Sequence, residues 1–325
     1  MNILVTGAGG FLGRNLATDL LSKGHKVWNF SRKNHSQLQA MGIETICGDL
    51  QNEADVLAAF KGMDVVFHVA SCVGIWGDYE EYYRTNVIGT ENVIKASRAN
   101  GITKLIYTST PSVVFEGSDI CGADETKPYS QKFYNYYSQT KTIAEQMVLK
   151  ANDKNLCTVA LRPHQIIGPD DPHLVPRLVN AAKLGRLKIV GTGKNLVDIT
   201  YIQNAVDAHV QAFEKLSPQS PLAGQAYFIG QERPVVLWDF INEILSRHKL
   251  PPITRKVPEK VAFNIGLFFE SWYRFFKIYG EPPMTRFVSL QFSRSHYFSH
   301  QKAKNDFGYD PKISIEQALD LIVRK

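Results

Sequence analysis

The chain has 325 residues, of which 44% are hydrophobic and 21% charged, an ordinary globular composition that suits one large α/β unit with an attached lobe. The formal charge of +6 comes with no basic run, which argues against nucleic acid as a partner. The four cysteines are widely spaced and match no metal-ligand pattern, so we expect free thiols in the cytoplasm, no disulfide framework and no metal site.

Short β-rich runs alternate with helical patterns over residues 1–160, as they do in βαβ units. The first strand is predicted to begin at Asn2, which leaves no room for a signal peptide. A helix follows over 11–22, and further strands are predicted at 27–30, 43–47, 65–69, 105–107 and 156–161. The sequence therefore predicts an α/β fold, a doubly wound parallel (Rossmann) sheet whose ligands gather at the carboxyl ends of the strands.

Beyond Arg162-Pro163 the pattern loosens, and closely spaced prolines indicate the loop-rich start of a second lobe. We predict a dinucleotide-binding domain over 1–165, to which 196–230 returns. A smaller substrate-binding lobe would then consist of 166–195 and 231–325. Helices are predicted around 203–216, 237–248 and 314–323.

The segment 261–279 is strongly apolar, and its polar residues fall on one side at helical spacing. Charges in its second half argue against a transmembrane span. We expect a wide-faced amphipathic helix that caps a lipophilic pocket, rests on a membrane surface or docks an enzyme of the same pathway. A helix packed into the second lobe is the alternative, and a homodimer is left open.

A glycine-rich turn, Thr6-Gly-Ala-Gly-Gly-Phe-Leu-Gly13, connects the first strand to the first helix. One glycine permits a tight turn, another lets the backbone approach a pyrophosphate, and a third allows close helix–sheet packing. The helix N-terminus adds N–H donors and a positive dipole end. No Gly-Lys-Ser/Thr follows, which excludes a Walker phosphate loop. A turn without ligand is the alternative; otherwise the residues expected to bind the cofactor here are Gly7, Gly10, Phe11, Leu12 and Gly13.

The end of the second strand distinguishes the two nicotinamide dinucleotides. A carboxylate there would hydrogen-bond the ribose hydroxyls and repel a 2′-phosphate. This chain has Ser31-Arg32-Lys33 instead, and a guanidinium makes a strong charge-assisted contact with phosphate. We therefore expect Ser31 and Arg32 to select NADPH over NADH, with an exposed basic turn as the alternative.

Tyr137 and Lys141 are four residues apart and would share one face of a helix. A phenol with a pKa of about 10 is a poor acid near neutrality, and lowering the pKa by about three units needs roughly 4 kcal/mol. An ammonium at about 4 Å supplies energy of that order at an effective dielectric near 20. The spacing alone is common by chance, but Thr108-Ser109-Thr110 follows a strand and would add a hydroxyl at the same sheet edge.

These elements resemble the extended short-chain dehydrogenase/reductase family. The matching elements occur in the family's order: Thr6-Gly-x-x-Gly-x-x-Gly13, Gly48-Asp49-Leu50, His68-Val-Ala70, Asn86-Val-x-Gly-Thr90, Tyr107-Thr-Ser-Thr110, Tyr137-x-x-x-Lys141 and Leu161-Arg-Pro163. Two later elements are similar to the 3β-hydroxysteroid dehydrogenase branch, which includes sterol-4-carboxylate decarboxylating enzymes: Gly193-Lys-Asn-Leu-Val-Asp198 and Thr200-Tyr-Ile202.

Within that branch the chain is most similar to the reductases of bacterial long-chain olefin biosynthesis, which act in lipid metabolism. The residues behind this resemblance run almost to the C-terminus: Gly74-Ile-Trp-Gly77, Ala144-Glu-Gln146, Leu174-Val-Pro-Arg177, Gly280-Glu-Pro-Pro-x-Thr-Arg286 and Asp306-Phe-Gly-Tyr309.

The resemblance implies a role for each matching residue. Tyr137 would be the general acid, and Lys141 would lower its pKa and hold the ribose. Thr110 would hydrogen-bond the carbonyl oxygen, with Ser109 as the alternative donor. The implied cofactor contacts are Asp49 and Leu50 at the adenine, Ala70 at the ribose chain and Pro163 at the nicotinamide, although Asp49 could instead cap a turn. Candidates for the substrate wall are Trp76, Tyr79, His164, Val175 and Tyr201.

The function expected from this resemblance is NADPH-dependent reduction of the 3-oxo group of a long-chain 2-alkyl-3-oxoalkanoate. The runner-up is a 3β-hydroxysteroid or sterol-4-carboxylate 3-dehydrogenase that uses the same residues. Weaker alternatives are a nucleotide-sugar epimerase or dehydratase and a cofactor-sensing protein without turnover. The intact Tyr137/Lys141 pair argues against the last of these.

Overall fold

The computed structural model describes residues 1–172 and 174–323. Within them the strands are β1 (Asn2–Thr6), β2 (Lys26–Ser31), β3 (Glu44–Cys47), β4 (Val65–His68), β5 (Lys104–Thr108), β6 (Ile120–Ala123), β7 (Cys157–Pro163), β8 (Ile166–Ile167), β9 (Ile189–Val190), β10 (Leu196–Val197), β11 (Thr200–Tyr201), β12 (Gln225–Ile229), β13 (Val235–Val236), β14 (Lys256–Val257) and β15 (His296–Phe298). The α-helices are α1 (Phe11–Ser22), α2 (Ser36–Ala40), α3 (Glu53–Ala59), α4 (Tyr79–Tyr83), α5 (Gly89–Ala99), α6 (Tyr136–Lys150), α7 (Leu174–Lys183), α8 (Ile202–Lys215), α9 (Leu237–Arg247), α10 (Glu259–Phe275), α11 (Arg286–Ser293), α12 (Gln301–Phe307) and α13 (Ile315–Val323).

Seven strands of the described chain form one parallel sheet in the order β12-β7-β5-β4-β1-β2-β3. The chain runs outward from β1 in both directions, so β1 and β4 flank the point at which the strand order reverses. In open α/β sheets this point is where ligands bind. The predicted doubly wound parallel sheet is confirmed, with β12 as an additional edge strand that the sequence pattern did not reveal.

Alternate residues of β1 enter two different hydrophobic cores. Ile3 and Val5 pack with α1 and α8 on one face, and Leu4 packs with α3, α5 and α6 on the other. Each fully buried aliphatic side chain of this kind contributes about 1.5–3 kcal/mol. Because both faces are covered by helices, the sheet presents its carboxyl edge to a ligand.

A smaller, four-stranded sheet with the order β13-β10-β15-β6 lies beside two further cores. Its strands come from widely separated parts of the chain, and two of them, β6 and β10, belong to segments that the predicted division assigns to the dinucleotide-binding domain. The division into a cofactor domain and a substrate lobe stays a prediction. None of the described helices is both long enough and apolar enough to span a bilayer.

Candidate active site

The three predicted glycines form the turn between β1 and α1. Gly7 has a φ of +76°, a conformation that favours glycine. A Cβ on Gly13 would lie 2.3 Å from the Gly7 carbonyl oxygen, so only glycine allows α1 to approach β1 this closely. Gly10 precedes the first residue of α1 and supplies no side-chain cap to the helix N–H groups. The turn thus leaves N–H donors at a helix N-terminus, the arrangement that binds a pyrophosphate.

Buried polar residues that sequence reasoning missed hold this turn in place. Asn29 Oδ1 accepts a hydrogen bond from Ala8 N at 3.0 Å, and Thr6 Oγ1 accepts one from Ala70 N at 3.2 Å. Asn29 is fully buried within β2. A polar residue in an otherwise apolar strand is the feature of the sequence that could have indicated this role.

His68 connects β1 and β4 behind the glycine turn. The Thr90 hydroxyl donates to the Asn86 carbonyl at 2.6 Å, so it accepts from His68 Nε2 at 2.9 Å. His68 Nδ1 therefore accepts from the Thr6 hydroxyl at 2.8 Å. Burial lowers the pKa of His68 to about 3, and the ring is neutral at physiological pH. This chain of hydrogen bonds fixes the position of Thr6, and through it of Ala70.

Arg32 lies exposed just beyond β2 and forms no ion pair with any described residue. The neighbouring Ser31 hydroxyl donates to the Lys33 carbonyl at 2.6 Å, which orders the turn. The His35 ring, which sequence reasoning also missed, packs so closely on Gly9 that a Cβ there would lie 2.2 Å from the ring. An unpaired guanidinium beside a glycine-rich turn fits an anionic dinucleotide.

The residues implied at the adenine and nicotinamide lie at the carboxyl edge of the sheet. Asp49 Oδ1 accepts from Gln51 N at 3.0 Å, so this side chain does cap a turn, and its contact with adenine stays a prediction. Leu50 is buried, and its carbonyl accepts from Asn92 Nδ2 at 2.8 Å. Pro163 ends β7 beside β12, and it too is buried.

Helix α6 carries Tyr137 and Lys141 and begins with a side-chain cap, in which Asn135 Oδ1 accepts from Ser138 N at 2.8 Å. Tyr137 lies within interaction range of the Thr110 hydroxyl, which acts to lower the pKa of the phenol. Ser109 lies instead on the side of Glu145, whose pKa its hydroxyl helps to lower. The structure therefore brings Tyr137 together with Thr110 rather than with Ser109.

Lys141 is buried and its Nζ donates to the Thr108 carbonyl at 2.6 Å. The same Nζ lies 4.0 Å from the centroid of the Tyr107 ring. Burial lowers the pKa of Lys141 to about 7, while the Glu145 carboxylate opposes this shift.

Burial raises the pKa of Tyr137 to about 12, and the Thr110 side chain acts in the opposite direction. The expected lowering of the Tyr137 pKa by Lys141 is therefore not found in this arrangement, in which Lys141 Nζ donates to the Thr108 carbonyl. The phenol is fully protonated at neutral pH, which is the form that a general acid requires.

A buried ion pair that the sequence did not predict lies one helical turn beyond Lys141. Arg162 Nη2 and Nε donate to Glu145 at 2.6 and 3.0 Å, and the Tyr129 hydroxyl donates to the same carboxylate at 2.7 Å. The pair connects α6 to the end of β7, next to Pro163.

The predicted substrate-wall residues do not all come together. Tyr79 packs edge-on against Tyr136, with ring centroids 5.4 Å apart, and Trp76 lies 6.4 Å from Tyr273 of α10. By contrast, Val175 and Tyr201 belong to hydrophobic cores, and His164 is buried against His296, with 2.8 Å between His164 Nε2 and His296 Nδ1. Tyr79 and Trp76 thus lie near the start of α6, and the substrate roles of all five residues stay predictions.

Comparisons with known proteins show what this chain is similar to. The sequence model of the 3-beta hydroxysteroid dehydrogenase/isomerase family matches residues 4–256. A 2-alkyl-3-oxoalkanoate reductase of Shewanella oneidensis is 48% identical, with 97% of this chain and 84% of the relative covered. One of Stenotrophomonas maltophilia is 47% identical over 98% and 97%. A sterol-4-alpha-carboxylate 3-dehydrogenase, decarboxylating, of Mus musculus is 38% identical over 98% and 89%.

Solved structures share the fold. The crystal structure of gox2253 has a TM-score of 0.78 at 28% identity and covers 98% of this chain and 96% of its own. The UDP-glucuronic acid 4-epimerase of Bacillus cereus, in complex with NAD, has a TM-score of 0.76 at 22% identity and covers 99% and 97%. At 22% identity, the similarity to the epimerase shows a shared fold only.

Proposed function

The chain belongs to the 3-beta hydroxysteroid dehydrogenase/isomerase family of NAD(P)-dependent oxidoreductases, and we propose that it reduces the 3-oxo group of a long-chain 2-alkyl-3-oxoalkanoate with NADPH. The observation that carries the substrate class is the identity of 47–48% over nearly the whole chain with two bacterial proteins of that name. The sterol enzymes are more distant, at 38%.

In this proposal two side chains of the protein bind and protonate the carbonyl oxygen of the substrate. The Thr110 hydroxyl hydrogen-bonds the carbonyl oxygen, and Tyr137 donates its phenolic proton to that oxygen as the alkoxide develops. A bound nicotinamide cofactor supplies the hydride that C3 gains. The product is the 2-alkyl-3-hydroxyalkanoate, and the phenolate recovers a proton from solvent.

Lys141 supports this chemistry through its charge. In its ammonium form Lys141 would attract the phenolate that develops as Tyr137 gives up its proton. Glu145 favours the cationic form of Lys141, against the effect of burial. We infer that Lys141 also hydrogen-bonds the ribose of the cofactor, with its Nζ already at the sheet edge beside Thr108.

Arg32 supports NADPH as the cofactor. Its guanidinium is exposed and pairs with no described carboxylate, so it is free to bind a 2′-phosphate. The glycine turn and the helix N-terminus would hold the pyrophosphate, and the predicted residues around them fit such a group.

A second candidate is sterol-4-carboxylate 3-dehydrogenation, which the 38% identity with the Mus musculus enzyme favours. One assay separates the two proposals. Purified protein is given NADPH with a synthetic 2-alkyl-3-oxoalkanoate, or NAD⁺ with a 3β-hydroxysterol 4-carboxylate, and cofactor absorbance is followed. We expect turnover of NADPH with the first substrate; turnover of the sterol alone would replace the proposal with the second candidate.

A further inference from the structure

Helix α10 turns an apolar face to solvent. Five large apolar residues follow the spacing i, i+4, i+7, i+11 and i+14 and have exposed fractions between 41% and 80%: Val261, Ile265, Phe268, Trp272 and Phe275. Four more exposed apolar residues adjoin them, among them Tyr279 at 102%: Leu267, Phe276, Ile278 and Tyr279. We call these nine residues the α10 surface. A solvent-facing helix of a globular protein is normally polar on this side, and a contiguous apolar patch marks an interaction site.

The opposite face of α10 fixes this orientation. Ala262, Gly266 and Glu270, spaced four apart, are buried. A Cβ on Gly266 would lie 2.6 Å from Arg286 N, so α11 packs directly on the helix backbone. Glu270 accepts from Arg286 N and from Arg286 Nε, both at 2.7 Å. The helix therefore cannot rotate to bury its apolar side without breaking a buried ion pair.

The charges beside the α10 surface are unequal. Within residues 259–281 the three acidic residues are each paired with an arginine: Glu259 with Arg294, Glu270 with Arg286 and Glu281 with Arg177. By contrast, three cations form no ion pair with any described carboxylate: Lys260, Arg274 and Lys277. The unpaired charges of this segment are therefore all positive.

We propose that the α10 surface docks onto an anionic lipid membrane. Phe, Trp and Tyr side chains enter the headgroup region of a bilayer, and free Lys and Arg residues bind anionic headgroups. A second copy of the chain fits this surface less well. A two-fold interface places each patch against itself, which would bring the unpaired cations of both copies together.

The surface is continuous with the candidate active site. Tyr273 of α10 contacts the Trp76 ring, and the Arg274 guanidinium lies 5.1 Å from the Trp76 centroid and 5.9 Å from that of Tyr136. Tyr136 immediately precedes Tyr137. A docked α10 would therefore place the site beside the bilayer, where long-chain substrates partition. The link to long-chain substrates rests on the proposed function, whereas membrane docking does not.

The test measures vesicle binding of the full chain without cofactor or substrate, so its outcome is independent of the proposed function. Protein is sedimented with vesicles of phosphatidylcholine plus phosphatidylglycerol, or of phosphatidylcholine alone. We expect binding to the anionic vesicles that weakens with salt. The variant Phe268→Ser/Trp272→Ser/Phe275→Ser should bind at least about tenfold more weakly. The variant Lys260→Gln/Lys277→Gln should lose most of the preference for phosphatidylglycerol.

The matched control is Leu57→Ser/Leu184→Ser, which removes two side chains exposed by 41% and 53% elsewhere on the molecule and should bind as the wild type does. Circular dichroism and thermal melting check that each variant is folded. Absence of wild-type binding, or equal binding by the triple variant, overturns the proposal. A wild-type dimer in analytical ultracentrifugation that the triple variant dissociates, without vesicle binding, would assign the surface to a second copy instead.

Discussion

Arg162 donates three hydrogen bonds to Glu145, at 2.6, 3.0 and 3.2 Å, and both side chains are nearly inaccessible to solvent. The pair joins α6, which carries the proposed acid, to the end of β7. Since Glu145 also favours the ammonium form of Lys141, one buried carboxylate supports both the position and the charge of the candidate active site.

Glu145→Gln should lower the free energy of unfolding by about 3–5 kcal/mol, because it leaves the buried Arg162 guanidinium without a counter-charge. Urea denaturation measures this loss. Asp310→Asn is the matched control: it removes a 3.2 Å pair with Lys304 in which both side chains are exposed, and it should cost about 0–1 kcal/mol. Equal losses of unfolding free energy in the two variants would show that the buried pair contributes no more to stability than the exposed pair does.

Arg32→Asp should raise the KM for NADPH by about tenfold or more and improve the use of NADH, since a carboxylate repels the 2′-phosphate and binds ribose hydroxyls. Steady-state kinetics with each cofactor test this. Arg186→Asp reverses the charge of an exposed arginine elsewhere and should leave both KM values unchanged. A normal KM for NADPH in Arg32→Asp would refute the assignment.

Thr110→Val should reduce kcat by about 10²–10³-fold, the usual effect of removing a donor to a developing oxyanion. Ser109→Ala should leave kcat within a few-fold, because the Ser109 hydroxyl faces Glu145. Both kcat values are measured at saturating NADPH. If the larger loss occurred in Ser109→Ala, the roles of the two hydroxyls would have to be exchanged.

His209 should make the fold sensitive to acid. Its Nδ1 donates to the Ala205 carbonyl at 2.7 Å, so Nε2 accepts from the Thr108 hydroxyl at 2.9 Å, and burial lowers the pKa from 6.5 to about 4. Below pH 6.5 the unfolded chain binds a proton that the folded chain does not, so stability falls as the pH is lowered towards 4. The contribution of this residue approaches about 3 kcal/mol. The free energy of unfolding, measured between pH 7 and about 4, should depend less on pH in His209→Gln than in the wild type. An identical dependence would contradict the lowered pKa of His209.

Local features of the fold could be predicted from the sequence, whereas long-range pairs could not. The predicted helix over 11–22 coincides with α1, since a glycine turn precedes it, a glycine follows it and its apolar residues keep helical spacing. Tyr137 and Lys141 are four positions apart, a spacing that places both on one face of a helix, and both lie in α6. The four-stranded sheet has strands of only two to four residues, too short for a periodic pattern. The pairs His68–Thr6 and His164–His296 join residues 62 and 132 positions apart, which no local pattern encodes.

The central claim is that Tyr137 delivers the proton to the substrate oxygen, and Tyr137→Phe tests it most directly. The variant keeps the ring and loses only the phenolic hydroxyl, whose pKa the neighbouring Thr110 acts to lower. With a 2-alkyl-3-oxoalkanoate, kcat for NADPH oxidation should fall by about 10²–10⁴-fold, while the Kd for NADPH, measured by fluorescence titration, should stay near the wild-type value. Full activity in Tyr137→Phe would contradict the proposed chemistry.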